Sequence, residues 1–124
     1  MARILVIDDD LNTREVLASF LRRLDHDVEI AANGKEAMAI LDEDTPDLVI
    51  TDINMPEMDG IEVINVLRDK SFDVPVIAMS GGGIYPKELL LDSAKALGAV
   101  ITVDKPFQLG EIKEAVEAAL AGGV

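Results

Sequence analysis

Cysteine and tryptophan are absent from this sequence, and aromatic residues make up only 3% of it. The lack of cysteine excludes disulfides and thiolate metal sites. A single histidine, His26, excludes a metal site built from several imidazoles, and we expect it to be an exposed loop residue. Long apolar runs are also missing, since the longest span only a few residues and a membrane-spanning helix needs about 20. The core must therefore be built from aliphatic side chains.

Basic residues are scarce, because 11 Lys and Arg stand against 24 Asp and Glu and give a formal net charge of −13. Such a charge repels phosphate backbones and anionic membrane surfaces, so we expect neither nucleic acid nor a membrane as a partner. The first three residues lead into a short apolar run and do not resemble a signal peptide. We therefore expect a cytoplasmic protein.

Short apolar segments alternate with helical patterns along the 124 residues, a length typical of one domain. Most of these segments are rich in β-branched residues and predict buried parallel strands, and one alternates with polar residues and predicts an edge strand. The buried strands are predicted at 4–7, 48–50, 76–79 and 100–101, and the edge strand at 28–30. We expect a single domain over residues 1–124.

Helical periodicity fills the intervals between these segments. It is strong after the first strand and near the end of the chain, and we expect Asn12 or Thr13 to cap the first helix. Weaker periodicity covers 37–41, 61–67 and 88–97. The strong helices are predicted to bury Val16, Leu17, Phe20, Leu21 and Leu24 in the first, and Ile112, Val116, Ala119 and Leu120 in the last.

A strand followed by a helix, repeated five times with short connections, predicts an α/β fold with right-handed crossovers. We expect a doubly wound, flavodoxin-like parallel sheet of five strands in the order 2-1-3-4-5, with helices on both faces. In such sheets ligands bind beyond the carboxyl ends of the strands. The residues that directly follow each strand are therefore the candidates for function.

Unusual polar residues occupy those positions. Asp8 and Asp9 follow the first strand and Asp52 ends the third, and these strand ends are expected to be neighbours. Taken alone, the acids after the first strand could be a helix-capping turn. Together, three carboxylates in one small volume require a cation or a proton, and an all-oxygen ligand set favours Mg²⁺, with Mn²⁺ as a substitute.

Ser80 and Lys105 follow the fourth and fifth strands and would complete the ring of polar groups. A hydroxyl and an ammonium facing a metal-bound carboxylate form a pocket suited to a tetrahedral dianion on Asp52. The arrangement predicts an aspartyl phosphate, with the Asp52 carboxylate as the nucleophile.

The polar residues at the strand ends lie in four segments of the sequence, which are Ile4-Leu5-Val6-Ile7-Asp8-Asp9-Asp10, Asp52-Ile53-Asn54-Met55-Pro56-Glu57-Met58-Asp59-Gly60, Ala78-Met79-Ser80-Gly81 and Lys105-Pro106-Phe107. These segments resemble the receiver domain of two-component response regulators, including the stand-alone chemotaxis regulators. The resemblance runs over essentially the whole chain in order and spacing.

The resemblance implies a role for each matching residue. Asp52 is implied to be the phosphoacceptor, and Asp8 and Asp9 the acid pair, with Asp9 as the direct Mg²⁺ ligand. Asn54 is implied to offer its backbone carbonyl to the metal. Ser80 is implied to hold a phosphoryl oxygen beside the family's lysine, Lys105, and the peptide bond between Lys105 and Pro106 is expected to be cis.

One position departs from the family pattern. Three residues before the lysine the family usually has Tyr or Phe, whose ring turns inward on activation, and this chain has Thr102. We expect the switch to run instead through the loop over residues 81–86, which has three glycines and carries Tyr85, the only tyrosine.

The resemblance implies a signalling switch that accepts a phosphoryl group from a histidine kinase or a histidine phosphotransfer protein. By the resemblance we expect it to catalyse only its own phosphorylation and dephosphorylation, and its downstream protein partner to bind the face of the fourth helix, fifth strand and last helix. The chain ends soon after its last predicted helix, so we expect no output domain, although an excised fragment would look the same.

Two other functions are possible on the same fold. A Mg²⁺-dependent phosphohydrolase with an aspartyl nucleophile usually has two acids spaced Asp-x-Asp after the first strand and a cap over the substrate, whereas here the candidate nucleophile follows the third strand. A flavin carrier needs a phosphate-binding loop after the first strand, where Asp8 and Asp9 would repel the phosphate.

Overall fold

The computed structural model describes residues 2–52, 74–80 and 101–121. The elements in this part of the chain are numbered in order, so the final helix is α3. They are β1 (Arg3–Ile7), α1 (Leu11–Arg23), β2 (Asp27–Ala31), α2 (Gly34–Glu43), β3 (Leu48–Asp52), β4 (Val76–Ser80), β5 (Ile101–Asp104) and α3 (Leu109–Leu120). The helices predicted at 61–67 and 88–97 lie outside the described residues.

All five strands are parallel, in the order β2-β1-β3-β4-β5, which confirms the predicted fold. The alternating segment does form an edge strand, β2. The fifth strand was predicted to lie at 100–101, but β5 continues to Asp104. It lies at the other edge of the sheet, where the half-buried Thr102 and the exposed Asp104 are tolerated within a strand.

The two faces of the sheet are covered by different helices. Side chains alternate along β1, so Ile4 and Val6 join one core cluster with residues of α1 and α3. Leu5 and Ile7 point to the opposite face, where α2 contacts β1 and β2. This two-sided cover explains why the central strands are nearly continuous apolar runs.

Helix α1 differs from its prediction at its N-terminal end and along one side. Its N-cap is Asp10, whose carboxylate accepts from the backbone N–H of Thr13 at 3.3 Å. Asn12 and Thr13 were therefore wrong as caps, because they already lie inside the helix. Val16 is 48% exposed rather than buried, since it lies about 100° around the helix from the buried Leu17.

The turn after α1 brings His26 back to the start of the chain. Its Nδ1 accepts from the backbone N–H of Ala2 at 3.2 Å, so His26 is half-buried and was wrongly predicted to be an exposed loop residue. Asp25, just before it, has a positive φ of 69°. Within the described residues, no helix is long and apolar enough to cross a membrane.

Candidate functional site

The carboxyl ends of β1 and β3 place two buried carboxylates side by side. Ile7 pairs with Thr51 in the register of the strands, so the next residues, Asp8 and Asp52, lie at the same level. Asp8 is inaccessible to solvent and Asp52 is 6% exposed, whereas Asp9 is exposed. One carboxylate oxygen from each of the three lies within 4.8 Å of the other two. The structure thus brings together the three acids that the sequence singled out.

Asp8 is held through its backbone and through both carboxylate oxygens. Its N–H donates to the Ala31 carbonyl at 3.1 Å, and its own carbonyl accepts from Nη1 of Arg14 at 2.9 Å. Oδ1 accepts from the backbone N–H of Asp10 at 2.9 Å, and Oδ2 accepts from Nζ of Lys105 at 2.8 Å. These partners compensate the burial of a charged group and fix its orientation.

Lys105 directly follows β5, and its side chain extends along the carboxyl end of the sheet towards β3 and β1. Its Nζ lies 2.8 Å from Oδ2 of Asp8 and 3.3 Å from Oδ2 of Asp52, so one ammonium bridges both buried acids. Burial alone would lower the pKa of Lys105. The hydrogen bond to Asp8 and the charge of Asp52 outweigh that effect, and the pKa lies above its ordinary value. The Lys105–Pro106 peptide bond is cis, which is what the resemblance implies.

The donor set fits a hard divalent cation. Two unit charges 4.8 Å apart repel by about 3.5 kcal/mol at an effective dielectric of 20. Lys105 supplies one positive charge against the three carboxylates of Asp8, Asp9 and Asp52. The ligands are all oxygens, a set that suits Mg²⁺ or Mn²⁺. The three carboxylates are therefore the residues that could hold such an ion.

Other predicted site residues fall partly or wholly outside the described part of the chain. Ser80 is the last residue of β4 and pairs with Asp104 of β5, but its side chain is outside the described part. Asn54 and Tyr85, with the loop over 81–86, lie outside the described residues. Their roles stay predictions.

Thr102 lies in β5, is half-buried and pairs with Ala78 of β4. It borders a groove of about 550 Å³ between β5 and α3. Three of the residues that line this groove are acidic, namely Asp104, Glu111 and Glu114. Thr102, which stands where the family usually has Tyr or Phe, thus borders a negatively charged groove.

Sequence reasoning missed Arg14. Its guanidinium donates to the Asp8 carbonyl, a contact between a helix side chain and a strand-end backbone atom. The only signal in the sequence was a basic residue four positions after Asp10, at the start of a helix that follows an acidic run. Nothing in that spacing distinguishes it from a solvent-exposed arginine.

Comparison with known proteins gives a consistent result. The sequence matches the family described as the response regulator receiver domain over residues 4–117. Sporulation initiation phosphotransferase F of Bacillus subtilis is 34% identical over 115 residues, which cover 93% of this chain and 90% of that protein. Response regulator MprA of Mycolicibacterium vanbaalenii is 36% identical over 119 residues, and the chain spans about half (50%) of its length.

Solved structures show the same architecture. The chemotaxis protein CheY4 of Vibrio cholerae superimposes with a TM-score of 0.86 at 30% identity, covering 97% of this chain and 99% of that one. The receiver domain of the Francisella response regulator 1452 gives a TM-score of 0.87 at 26% identity, covering all of both chains (100% and 100%). The similarity therefore extends over the sheet and the strand ends that form the site.

Proposed function

This chain belongs to the response regulator receiver family of two-component signalling, and we propose that it is a switch in which Asp52 accepts a phosphoryl group in a Mg²⁺-dependent reaction. The observation that carries the proposal is the convergence of four charged groups from three strand ends. Asp8, Asp9 and Asp52 lie within 4.8 Å of one another, and Lys105 bridges two of them.

Access and charge distinguish Asp52 from the other acids. Both oxygens of Asp8 are engaged by hydrogen bonds and its side chain is fully buried, with 0% exposed. The Asp52 side chain is 9% exposed and lies beside the Lys105 ammonium. Asp9 is exposed and offers an oxygen to the same cluster, which suits a metal ligand. Asp52 therefore combines access for a phosphoryl donor with a neighbouring positive charge.

The proposed transfer is a direct displacement. An Asp52 oxygen attacks the phosphorus of a phosphohistidine, a P–O bond forms while the P–N bond breaks, and the leaving imidazole takes a proton from solvent. Lys105 stabilises the charge that develops on the phosphoryl oxygens. Mg²⁺, when held by Asp8, Asp9 and Asp52, would neutralise phosphoryl charge, and Mn²⁺ can substitute.

The surface beside the site supports a protein as the phosphoryl donor. A groove of about 410 Å³ separates the first turns of α1 from the segment after β5, and Lys105 and Phe107 contribute to its lining. Apolar side chains extend this surface, since Val16 lines the groove and is 48% exposed and nearby Leu11 is 55% exposed. An apolar rim next to the acceptor suits a histidine kinase or a histidine phosphotransfer protein.

We propose that the output is a protein contact rather than turnover of a substrate. The acidic groove between β5 and α3, bordered by Thr102, suits a downstream partner with basic side chains. The proposed face extends to the helix predicted at 88–97. The protein would then catalyse only its own phosphorylation and dephosphorylation.

The test uses phosphoramidate, a small donor with the same P–N bond as phosphohistidine. With Mg²⁺ we expect at most one phosphoryl group per chain, and with excess chelator none. Asp52→Asn should abolish labelling. Asp10→Asn is the matched control, because asparagine is an equally good N-cap and the same charge is removed next to the site. Steady release of product from phosphomonoesters over many turnovers would contradict the proposal and favour a phosphohydrolase.

A further inference from the structure

Arg14 is the fourth residue of α1, and it contacts a backbone atom of the site rather than a carboxylate. Its backbone N–H donates to the Asp10 carbonyl at 3.0 Å, and its Nη1 donates to the Asp8 carbonyl at 2.9 Å. The side chain is half-buried between the helix and the end of β1. Lys105, in contrast, donates hydrogen bonds to carboxylate oxygens of Asp8 and Asp52.

The carbonyl that Arg14 holds belongs to the peptide unit joining Asp8 to Asp9. Because a peptide unit is planar, fixing its carbonyl fixes the direction in which the chain enters Asp9. The Asp9 carboxylate has no hydrogen bond or ion pair with any residue in the described ranges. Within the described part of the chain, its position relative to the other two acids therefore depends on the backbone that carries it.

The rest of the loop is tied to the same helix end. The backbone N–H of Asp10 donates to Oδ1 of Asp8 at 2.9 Å, and the Asp10 carboxylate accepts from the Thr13 hydroxyl at 2.6 Å. The peptide unit between Asp8 and Asp9 is thus held from one side by a cap and from the other by Arg14. One anchor is the N-cap of α1 and the other lies in the first turn of that helix.

We infer that Arg14 is a positioning residue for the divalent metal site, which sets the placement of Asp9 by holding the Asp8 carbonyl. The inference rests on the proposed function, because it assumes that Asp8, Asp9 and Asp52 bind Mg²⁺. Groups that orient metal ligands in this way contribute about 10–100-fold to metal affinity in other proteins. Arg14 acts through Asp8 and does not itself contact the metal.

The experiment measures Mg²⁺ affinity by calorimetry and thermal stability without metal for wild type, Arg14→Met and Arg22→Met. Arg22 is a matched control on the same helix, because its Nη2 donates to the Val28 carbonyl at 2.9 Å, away from the site. Both variants lose one charge and one arginine–carbonyl hydrogen bond, so both should lose stability. Only Arg14→Met should weaken Mg²⁺ binding, by about tenfold or more.

Two further variants complete the test. Arg14→Lys keeps a charged donor of similar length and should bind Mg²⁺ nearly as wild type does. If Arg14→Met fails to fold, Arg14→Gln replaces it, since its amide is too short to reach the carbonyl and the same weakening is expected. Unchanged affinity in the variant that folds, or equal weakening in Arg22→Met, would overturn the inference while leaving the proposed function standing. A wild-type protein that ignores Mg²⁺ would overturn both.

Discussion

Lys105 and Asp8 lie 97 positions apart in the sequence, yet Nζ of the lysine is 2.8 Å from Oδ2 of the aspartate. The contact joins the ends of β5 and β1, which are separated by β3 and β4 in the sheet. The same ammonium reaches Asp52 at 3.3 Å. One flexible side chain thus compensates the charge of two buried acids on neighbouring strands.

Removing that ammonium should destabilise the metal-free protein. Lys105→Met leaves Asp8 and Asp52 buried without their common partner, and we expect the free energy of unfolding to fall by about 1–3 kcal/mol. Mg²⁺ should recover most of the loss, because the ion supplies the missing positive charge. Thermal unfolding with and without Mg²⁺ measures both effects. Lys113→Met is the control, since the ion pair of Lys113 on α3 is exposed and 3.9 Å long, and a loss as large there would contradict the account.

Removing an acid should have the opposite effect on the metal-free protein. Asp9→Asn reduces the repulsion among three carboxylates, and we expect a gain on the order of 1 kcal/mol in unfolding free energy without metal. The same variant should lose most of the stabilisation by Mg²⁺, since a ligand is gone. Glu15→Gln, an exposed residue of α1, removes an equal charge and is the control. A destabilised Asp9→Asn that still responds to Mg²⁺ would show that Asp9 is not part of the cluster.

Stability at alkaline pH should report the raised pKa of Lys105. A base whose pKa is higher in the folded state contributes its full stabilisation at pH values below its ordinary pKa, here 10.5. This contribution is lost as the pH rises through the pKa of the folded state. The difference in unfolding free energy between wild type and Lys105→Met, measured without metal, should change little between about pH 8 and pH 10, where carboxylates stay ionised, and shrink above that range. A difference that grows with pH would mean that the sign of the shift is wrong.

The turn that ends α1 offers a test of the fold apart from the site. Asp25 has a φ of 69°, and the following N–H of His26 donates to the Leu21 carbonyl at 3.2 Å. Glycine adopts this left-handed conformation with less strain, so Asp25→Gly should stabilise the protein by about 0.5–1 kcal/mol. Denaturant unfolding measures the change. Asp25→Ala is the comparison and should be less stable than wild type, because alanine has neither the freedom of glycine nor a side chain that tolerates this region.

The sheet and its carboxyl-end acids could be predicted because both follow from local patterns. Apolar runs identify the strands, and the rule that ligands bind beyond strand ends then singles out Asp8, Asp9 and Asp52. Helix boundaries were less predictable, since an acidic run can serve as a cap or as a site, and Asp10 serves as the cap. The edge strand β5 extended beyond its apolar pair because an edge tolerates polar residues.

The contacts that hold the site could not be predicted from the sequence. Arg14 reaches a backbone carbonyl, and Lys105 bridges residues from two other strands, so both depend on distances that only the folded chain defines. Val16 was expected in the core on periodicity, but it borders the groove beside Lys105. A helical stripe gives the buried face only to within one neighbouring position.

The central claim is that one metal-dependent phosphoryl acceptor exists and that it is Asp52. The most direct measurement is mass spectrometry of the protein after incubation with Mg²⁺ and acetyl phosphate, followed by location of the modified residue. The account predicts a single phosphoryl adduct on Asp52, absent when Mg²⁺ is chelated. An adduct on another residue, or equal labelling without a divalent cation, would contradict it.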